Sequence, residues 1–199
     1  MLHTSLKTYT GQDIAVFVQQ LPNGAVNTNA SNPILPGNLR IMDPGAFPPI
    51  VAFPSFTGGQ METLGYLTWQ SRMINAEWGT NVTKGPPGTN EPLINGSGLQ
   101  GLSTSGPVVL YNDALDSLVI SPLDNFKSAV HTTRRYTAKS GAPARAWETG
   151  VSSELEELPR GFEHRTLLVA GKGITATLDK WGRATRTVYR TNRSMASRD

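Results

Sequence analysis

Two apolar runs around a short polar turn decide the fold class: PVVLY (107–111), then ND (112–113), then SLVIS (117–121). Both runs are rich in β-branched residues, which favour strands. Asn and Asp between such runs are typical of turns, because their short side chains bond to nearby backbone groups. The sequence therefore predicts a β-hairpin here.

Working outward from this hairpin, further strands and one short helix are expected. Asn and Gly at 23–24 indicate a turn after the first of these strands. Ser121 as N-cap and Pro122 at the first helical position predict a short amphipathic helix that extends to Val130. The predicted strands cover 14–18, 50–53, 63–69, 165–169 and 173–178, and the long Gly-, Pro- and Asn-rich connections cover 27–49 and 79–106. This pattern predicts a mostly-β protein: an antiparallel β-sandwich with one or two short helices.

Composition excludes several classes of protein. The chain has 199 residues, with 20 Gly and 14 Pro but no Cys. The abundance of turn formers argues against a helical bundle, and the lack of cysteine excludes disulfide scaffolds, zinc ribbons and thiol nucleophiles. No run of apolar residues approaches the roughly 20 that span a bilayer.

Motifs that would indicate catalysis or a cofactor are weak or missing. The sequence has neither a phosphate-binding G-x-x-x-x-G-K-[ST] loop nor a G-x-S-x-G elbow. The glycines at 96–101 match G-x-G-x-x-G, but no strand and helix flank them. His3, His131 and His164 lack metal-ligand spacing, and nothing pairs the carboxylates for glycosidase chemistry. We therefore expect no catalytic residue, no metal site and no cofactor in this chain.

Positive charge is concentrated at the end of the chain. The formal net charge is +3, and residues 160–199 hold nine basic and three acidic residues. Trp181, Ala184 and Val188 are spaced as on a helix. We therefore predict two regions, a β-sandwich domain at 1–178 and a basic, helical connector at 179–199. The basic residues that share helical spacing make nucleic-acid binding an alternative, which the lack of interleaved aromatic residues disfavours; they are Lys180, Arg183, Arg186, Arg190 and Arg193.

One short segment carries the side chains by which proteins hold sugars. Between 69 and 78, aromatic rings alternate with planar hydrogen-bonding groups. Trp69, Arg72 and Trp78 are the candidate carbohydrate-binding residues, since a ring stacks on a sugar and a guanidinium binds its hydroxyls. The alternative is that both tryptophans pack in the core and rim of the sandwich.

Four N-x-[ST] sequons bear on localisation. They begin at Asn29, Asn81, Asn95 and Asn192, and each is a candidate glycosylation site. The N-terminus shows no signal peptide, because no apolar run follows its basic start. The sequons nevertheless favour a secreted, extracellular protein over an intracellular protein with polar loops.

Several of these segments together resemble the N-terminal domain of a known group of enzymes. The segments are TLGYLTW (63–69), SGPVVLY (105–111), LVISPLDNF (118–126), LPRGF (158–162), and GI (173–174) with WG (181–182). They look like the N-terminal β-sandwich of large secreted fungal glycoside hydrolases similar to the α-galactosidase and raffinose-synthase group. The resemblance implies a galactose-mutarotase-like β-supersandwich that precedes a catalytic (β/α)8 barrel.

The resemblance and the residue patterns together lead to three hypotheses about function. In the first, the chain is a non-catalytic N-terminal β-sandwich domain that supports a barrel absent from this sequence and contacts sugar. In the second, it is a free-standing carbohydrate-binding or structural β module. The third is nucleic-acid binding through the basic C-terminal helix. The expected partners are a carbohydrate or a C-terminal barrel domain; we expect neither a membrane nor nucleic acid.

Overall fold

A computed structural model describes residues 1–9, 11–28, 49–57, 64–69, 82–85, 106–137 and 143–191. Within these ranges the chain forms twelve strands, a short 3-10 helix (Phe126–Ser128) and one α-helix, α1 (Ile174–Tyr189). The strands are β1 (His3–Tyr9), β2 (Ile14–Leu21), β3 (Ala25–Val26), β4 (Pro49–Thr57), β5 (Gly65–Trp69), β6 (Val82–Gly85), β7 (Val108–Tyr111), β8 (Asp116–Pro122), β9 (Ala129–Thr137), β10 (Pro143–Ser152), β11 (Glu157–Leu158) and β12 (Phe162–Lys172).

All strand pairs in the described residues are antiparallel, in three sheets. The largest sheet has seven strands in the order β1-β2-β12-β8-β7-β5-β6. A second sheet has the order β4-β10-β9, and β11 pairs with β3 in a small third sheet. The prediction of a mostly-β, antiparallel protein with a short helix is thus confirmed.

The hairpin that decides the fold class forms as predicted. β7 and β8 pair with Val109 opposite Val119. The Asn112 side chain accepts a hydrogen bond from the Asp116 backbone N–H at 2.8 Å and donates to the Asp116 carboxylate at 3.0 Å. Leu115 adopts a positive φ of 63°, and its carbonyl accepts a hydrogen bond from the Gly173 N–H. The turn is therefore held by its own Asn and by the start of α1.

The seven-stranded sheet carries apolar side chains on both faces. On one face, Val108, Leu110 and Ile120 pack against Trp147 of β10. Phe17 extends this contact, with its ring centroid 5.4 Å from that of Phe53 on β4. The three-stranded sheet therefore covers this face, which we call the sheet side.

The helix α1 covers the opposite face, which we call the helix side. Here the apolar stripe of the helix packs on the alternate strand residues, whose side chains point away from the sheet side. The buried strand residues are Val16, Val18, Val109, Val119, Leu167 and Val169; the helix residues on them are Ile174, Leu178, Trp181 and Ala184. A Cβ at Gly171 would lie 2.4 Å from the Thr177 hydroxyl, so glycine allows the helix to approach β12 closely.

Two sequence predictions at element boundaries are wrong. The segment predicted as a helix from Ser121 is the end of β8, where Pro122 lies opposite Thr166 of β12. Proline is tolerated because β7 begins opposite Ile120, so Pro122 has a ladder partner on one side alone. The 3-10 helix at Phe126–Ser128 is all the helix that forms there before β9.

The segment predicted as a strand at 173–178 begins α1 instead. Its alternation of Ile174, Ala176 and Leu178 mimics a strand, but Ile174 and Leu178 are also one helical turn apart and both pack on the sheet. The helix crosses the predicted boundary between residues 178 and 179. Residues 179–189 therefore belong to a helix that is packed on the β-sheet.

Candidate functional site

The segment predicted to bind sugar begins at the end of a strand pair. Trp69, the last residue of β5, lies opposite Val82, the first residue of β6. The pairing brings both ends of the connection 70–81 together. Arg72 and Trp78 lie in that connection, outside the described residues, so their meeting with Trp69 stays a prediction.

Other elements reach the same end of the seven-stranded sheet. Antiparallel pairing through β7 gives β5 and β8 the same direction, so Trp69 and Pro122 lie at one end, which we call the Trp69 end. The two strands are two positions apart in the sheet, which is roughly 10 Å. β12 begins at this end, and α1 returns to it, since the Tyr189 hydroxyl donates a hydrogen bond to the Leu123 carbonyl.

An ion-pair network centred on Asp124 organises the Trp69 end. The Asp124 carboxylate accepts hydrogen bonds from the Arg165 backbone N–H at 2.7 Å and from Arg165 Nε at 2.6 Å. His164 Nδ1 lies 3.5 Å from the same carboxylate. Partial burial raises the pKa of Asp124, but the contacts with His164 and Arg165 outweigh it and hold this pKa below its usual range. Asp124 therefore stays ionised and fixes the Arg165 guanidinium.

Beside this network, Phe126 and Tyr189 form an aromatic pair on the surface. Their ring centroids are 6.5 Å apart and their planes differ by 35°. Phe126 is 46% exposed and Tyr189 44%. Burial of the hydroxyl and the nearby Asp124 carboxylate raise the pKa of Tyr189. The pair thus presents ring surface to solvent while the Tyr189 hydroxyl anchors it to the fold.

Titratable groups are also buried on the sheet side. His131 and His164 are 0% and 1% exposed. The His131 ring centroid lies 5.9 Å from that of Trp147. Burial, reinforced by the charge of His164, lowers the pKa of His131 to about 3, although the Gly106 backbone acts in the opposite direction. Both imidazoles are thus enclosed by the protein, which fits a role in packing.

The basic residues of α1 divide into two groups. Lys180 turns back to the body of the protein, where it donates to the Asp13 carboxylate at 2.8 Å and to the Ala170 carbonyl at 3.0 Å. Arg183, Arg186 and Arg190 instead line an open groove of about 400 Å³ together with Thr187 and Thr191. Arg193 lies outside the described residues. The structure thus brings together three of the five basic residues predicted to share a helix face.

The remaining sequence predictions concern glycosylation, metals and membranes. All four sequons, at Asn29, Asn81, Asn95 and Asn192, begin outside the described residues. Among the residues that are described, no group of three or more His, Asp or Glu side chains could hold a metal ion. In the same part of the chain, no helix is long and apolar enough to cross a membrane.

Comparison with known proteins adds no relative: no protein-family model, no curated protein and no solved structure matches this chain. The function must therefore be inferred from the geometry of the described residues and from the sequence resemblance.

Sequence reasoning missed the cluster of Asp124, Arg165, Phe126 and Tyr189. Asp124 follows an apolar run, but its partner Arg165 lies 41 residues away in the chain. Phe126 lies in the segment from Ser121 to Val130 that the sequence predicts as a helix, and the structure places it in a short 3-10 helix. Tyr189 lies in the predicted helical connector at 179–199, but no local signal could show that it contacts Leu123.

Proposed function

We propose that this chain is a non-catalytic N-terminal β-sandwich domain of a carbohydrate-active glycoside hydrolase, which supports a catalytic barrel and contacts sugar. The resemblance to the N-terminal domain of secreted fungal hydrolases of the α-galactosidase and raffinose-synthase group supports the class. The mostly-β architecture agrees with it. The enclosed positions of His131 and His164 fit a domain that is not itself catalytic. On this proposal the protein is secreted, and its sequons are open to glycosylation.

The observation that carries the sugar-binding part is the pairing of Trp69 with Val82. It joins the two ends of the connection 70–81, which holds Arg72 and Trp78 in sequence, and on this proposal their side chains act together with Trp69. Aromatic rings with a few planar polar groups are the usual lining of small-molecule sites. We therefore assign sugar contact to Trp69, Arg72 and Trp78.

Thermal denaturation with a panel of galactosides and glucans tests this assignment. We expect a rise in melting temperature at millimolar sugar, because a ligand that binds only the native state stabilises it. The rise should disappear in Arg72→Ala and Trp78→Ala. Tyr9→Ala is the matched control, since Tyr9 is an exposed aromatic residue on the opposite edge strand β1. No shift with any sugar removes the sugar-binding part of the proposal.

A free-standing β module is the second candidate, and the packing of α1 favours it. Leu178, Trp181 and Ala184 pack on the protein's own sheet, so the helix needs no further domain to bury its apolar stripe. Limited trypsin digestion distinguishes the two candidates. A module that is complete by itself should resist cleavage at Arg183 and Arg186, whereas early release of the helix favours a connector that is protected by a barrel.

Nucleic-acid binding is a third candidate, supported by the groove that Arg183, Arg186 and Arg190 line. Such binding would weaken steeply with salt, because each phosphate contact releases counterions. A gel shift with single-stranded and duplex DNA at low salt tests it, with Arg186→Ala and Arg190→Ala as variants. Lys180→Ala is the control, since Lys180 faces Asp13. Absence of any complex at low salt rules this candidate out.

A further inference from the structure

An exposed aromatic pair with a polar neighbour suggests a site of its own. Of the large apolar side chains that are well exposed in the described residues, Phe126 and Tyr189 are two that touch each other. Substituting a ring this exposed would remove little buried contact, so packing of the core does not explain why either ring is there. Their position at the Trp69 end places them on the same end of the sheet as the segment already assigned to sugar.

The polar groups beside the rings are held in place before any ligand arrives. Arg165 Nε is fixed by Asp124 at 2.6 Å and lies 3.5 Å from the Glu163 carboxylate. Gln20 donates to the other Glu163 oxygen at 2.6 Å. A preorganised site loses less entropy on binding than a flexible one.

Arg165 keeps donors free for a ligand. As a donor, Arg165 uses Nε and its backbone N–H within the described residues, so its two terminal nitrogens make no hydrogen bond in that part of the protein. The side chain is 32% exposed. The guanidinium therefore keeps four N–H donors, on its two terminal nitrogens, that no described residue uses.

We propose that Phe126 and Tyr189, with Arg165 and Glu163, form a second carbohydrate-binding surface that takes a pyranose ring of a neutral oligosaccharide. The C–H face of the sugar stacks on the rings, and the guanidinium and carboxylate bind its hydroxyl groups. The choice of ligand class depends on the proposed sugar contact of this domain, whereas the residues and their position are independent of the 70–81 connection. An aromatic and arginine surface also suits a protein partner, which the experiment below must distinguish.

The test is an NMR titration of the full chain with hexasaccharides of β-1,4-linked glucose, xylose, mannose and galactose. We expect amide shifts at Asn125–Ser128 and Val188–Thr191 with at least one sugar. Phe126→Ala should weaken binding about tenfold, in line with the energy of a ring-stacking contact. Phe126→Trp should keep or tighten it, because a larger ring offers more stacking surface, and Tyr9→Ala should leave it unchanged.

The alternative outcomes separate this inference from the proposed function. Shifts confined to Trp69 and Val82, insensitive to Phe126→Ala, would overturn the second surface and leave the first intact. Sugar-induced shifts around Phe126 that persist in Trp78→Ala would support the second surface independently of the first. Binding at neither place would overturn both. Light scattering that shows self-association lost in Phe126→Ala, without any sugar shifts, would make the pair a protein contact and overturn the inference.

Discussion

The two faces of the seven-stranded sheet are both buried but differ in how their polar groups are satisfied. On the helix side, the Ser117 and Thr177 hydroxyls lie 2.6 Å apart, and the Trp181 indole donates to Ser121 at 2.7 Å. On the sheet side lie two buried histidines, and the Thr149 hydroxyl has no hydrogen-bond partner in the described part of the chain. The polar groups named on the helix side are neutral and paired, whereas burial lowers the pKa of His131 and makes the sheet side sensitive to acid.

The largest effect should come from removing the ring that fills the sheet side. Trp147 is 1% exposed and packs on Val108, Leu110 and Ile120. Trp147→Ala should cost about 3–5 kcal/mol in the free energy of unfolding, because it removes a large buried side chain and leaves a cavity. Urea denaturation measures the cost, and Trp181→Ala, at a partly buried position on the helix side, is the comparison. Equal losses would contradict the central position of Trp147.

The next effect is acid destabilisation through His131. Its pKa in the folded state, about 3, lies below the ordinary 6.5, so the unfolded chain takes up the proton first. The contribution of neutral His131 to the free energy of unfolding is therefore fully present above pH 6.5. It is lost as the pH falls towards 3, which lowers the free energy of unfolding by roughly 4 kcal/mol. Chemical denaturation at a series of pH values should show this slope. His131→Gln should flatten it between pH 6.5 and 4, whereas His3→Gln, at an exposed position, should not.

Below this range a second acid effect adds to the first. The pKa of Asp124 is lowered in the folded state, so its contribution is present above its ordinary pKa and is lost as the pH falls below it. This loss should persist in His131→Gln. If His131→Gln kept its full stability down to pH 2, the ion pairs of Asp124 would not contribute to stability.

A smaller effect should separate paired from unpaired hydroxyls. Ser121→Ala removes the acceptor of the Trp181 indole and should cost about 1–2 kcal/mol. Thr149→Val replaces a hydroxyl without a partner in the described residues, so it should be neutral or stabilising. Melting temperatures of the two variants test the contrast between the faces directly. A loss in Thr149→Val as large as in Ser121→Ala would remove that contrast.

The smallest effect concerns the ion pair that ties α1 to the start of β2. Lys180→Met breaks the contact with Asp13, which is 69% exposed, and should cost well under about 1 kcal/mol. The difference from wild type should shrink in 1 M salt. Lys7→Met, at an exposed position on β1, is the matched control. A cost that salt leaves unchanged would point to the Ala170 carbonyl contact as the source.

Local chemistry was enough to predict part of the fold. The β7–β8 hairpin, the strand at β2 and the turn at Gly24 follow from β-branched runs and turn residues. Gly24 has a φ of +69°, and a Cβ there would lie 2.6 Å from the Leu158 carbonyl, so the turn signal also reflects a tertiary contact. β9 and β10 were missed because their polar residues, such as those at 132–135, give no strand pattern by themselves.

The sequence alone determined the strand-rich class and the concentration of basic residues at 160–199. Tertiary structure decided three other matters: that residues 174–178 form a helix, that Pro122 ends a strand, and that Asp124 meets Arg165. The physical reason is that local propensities differ by a kilocalorie per mole or less per residue. Burial of an apolar stripe or pairing of a charge outweighs such differences, and both depend on residues far apart in the chain.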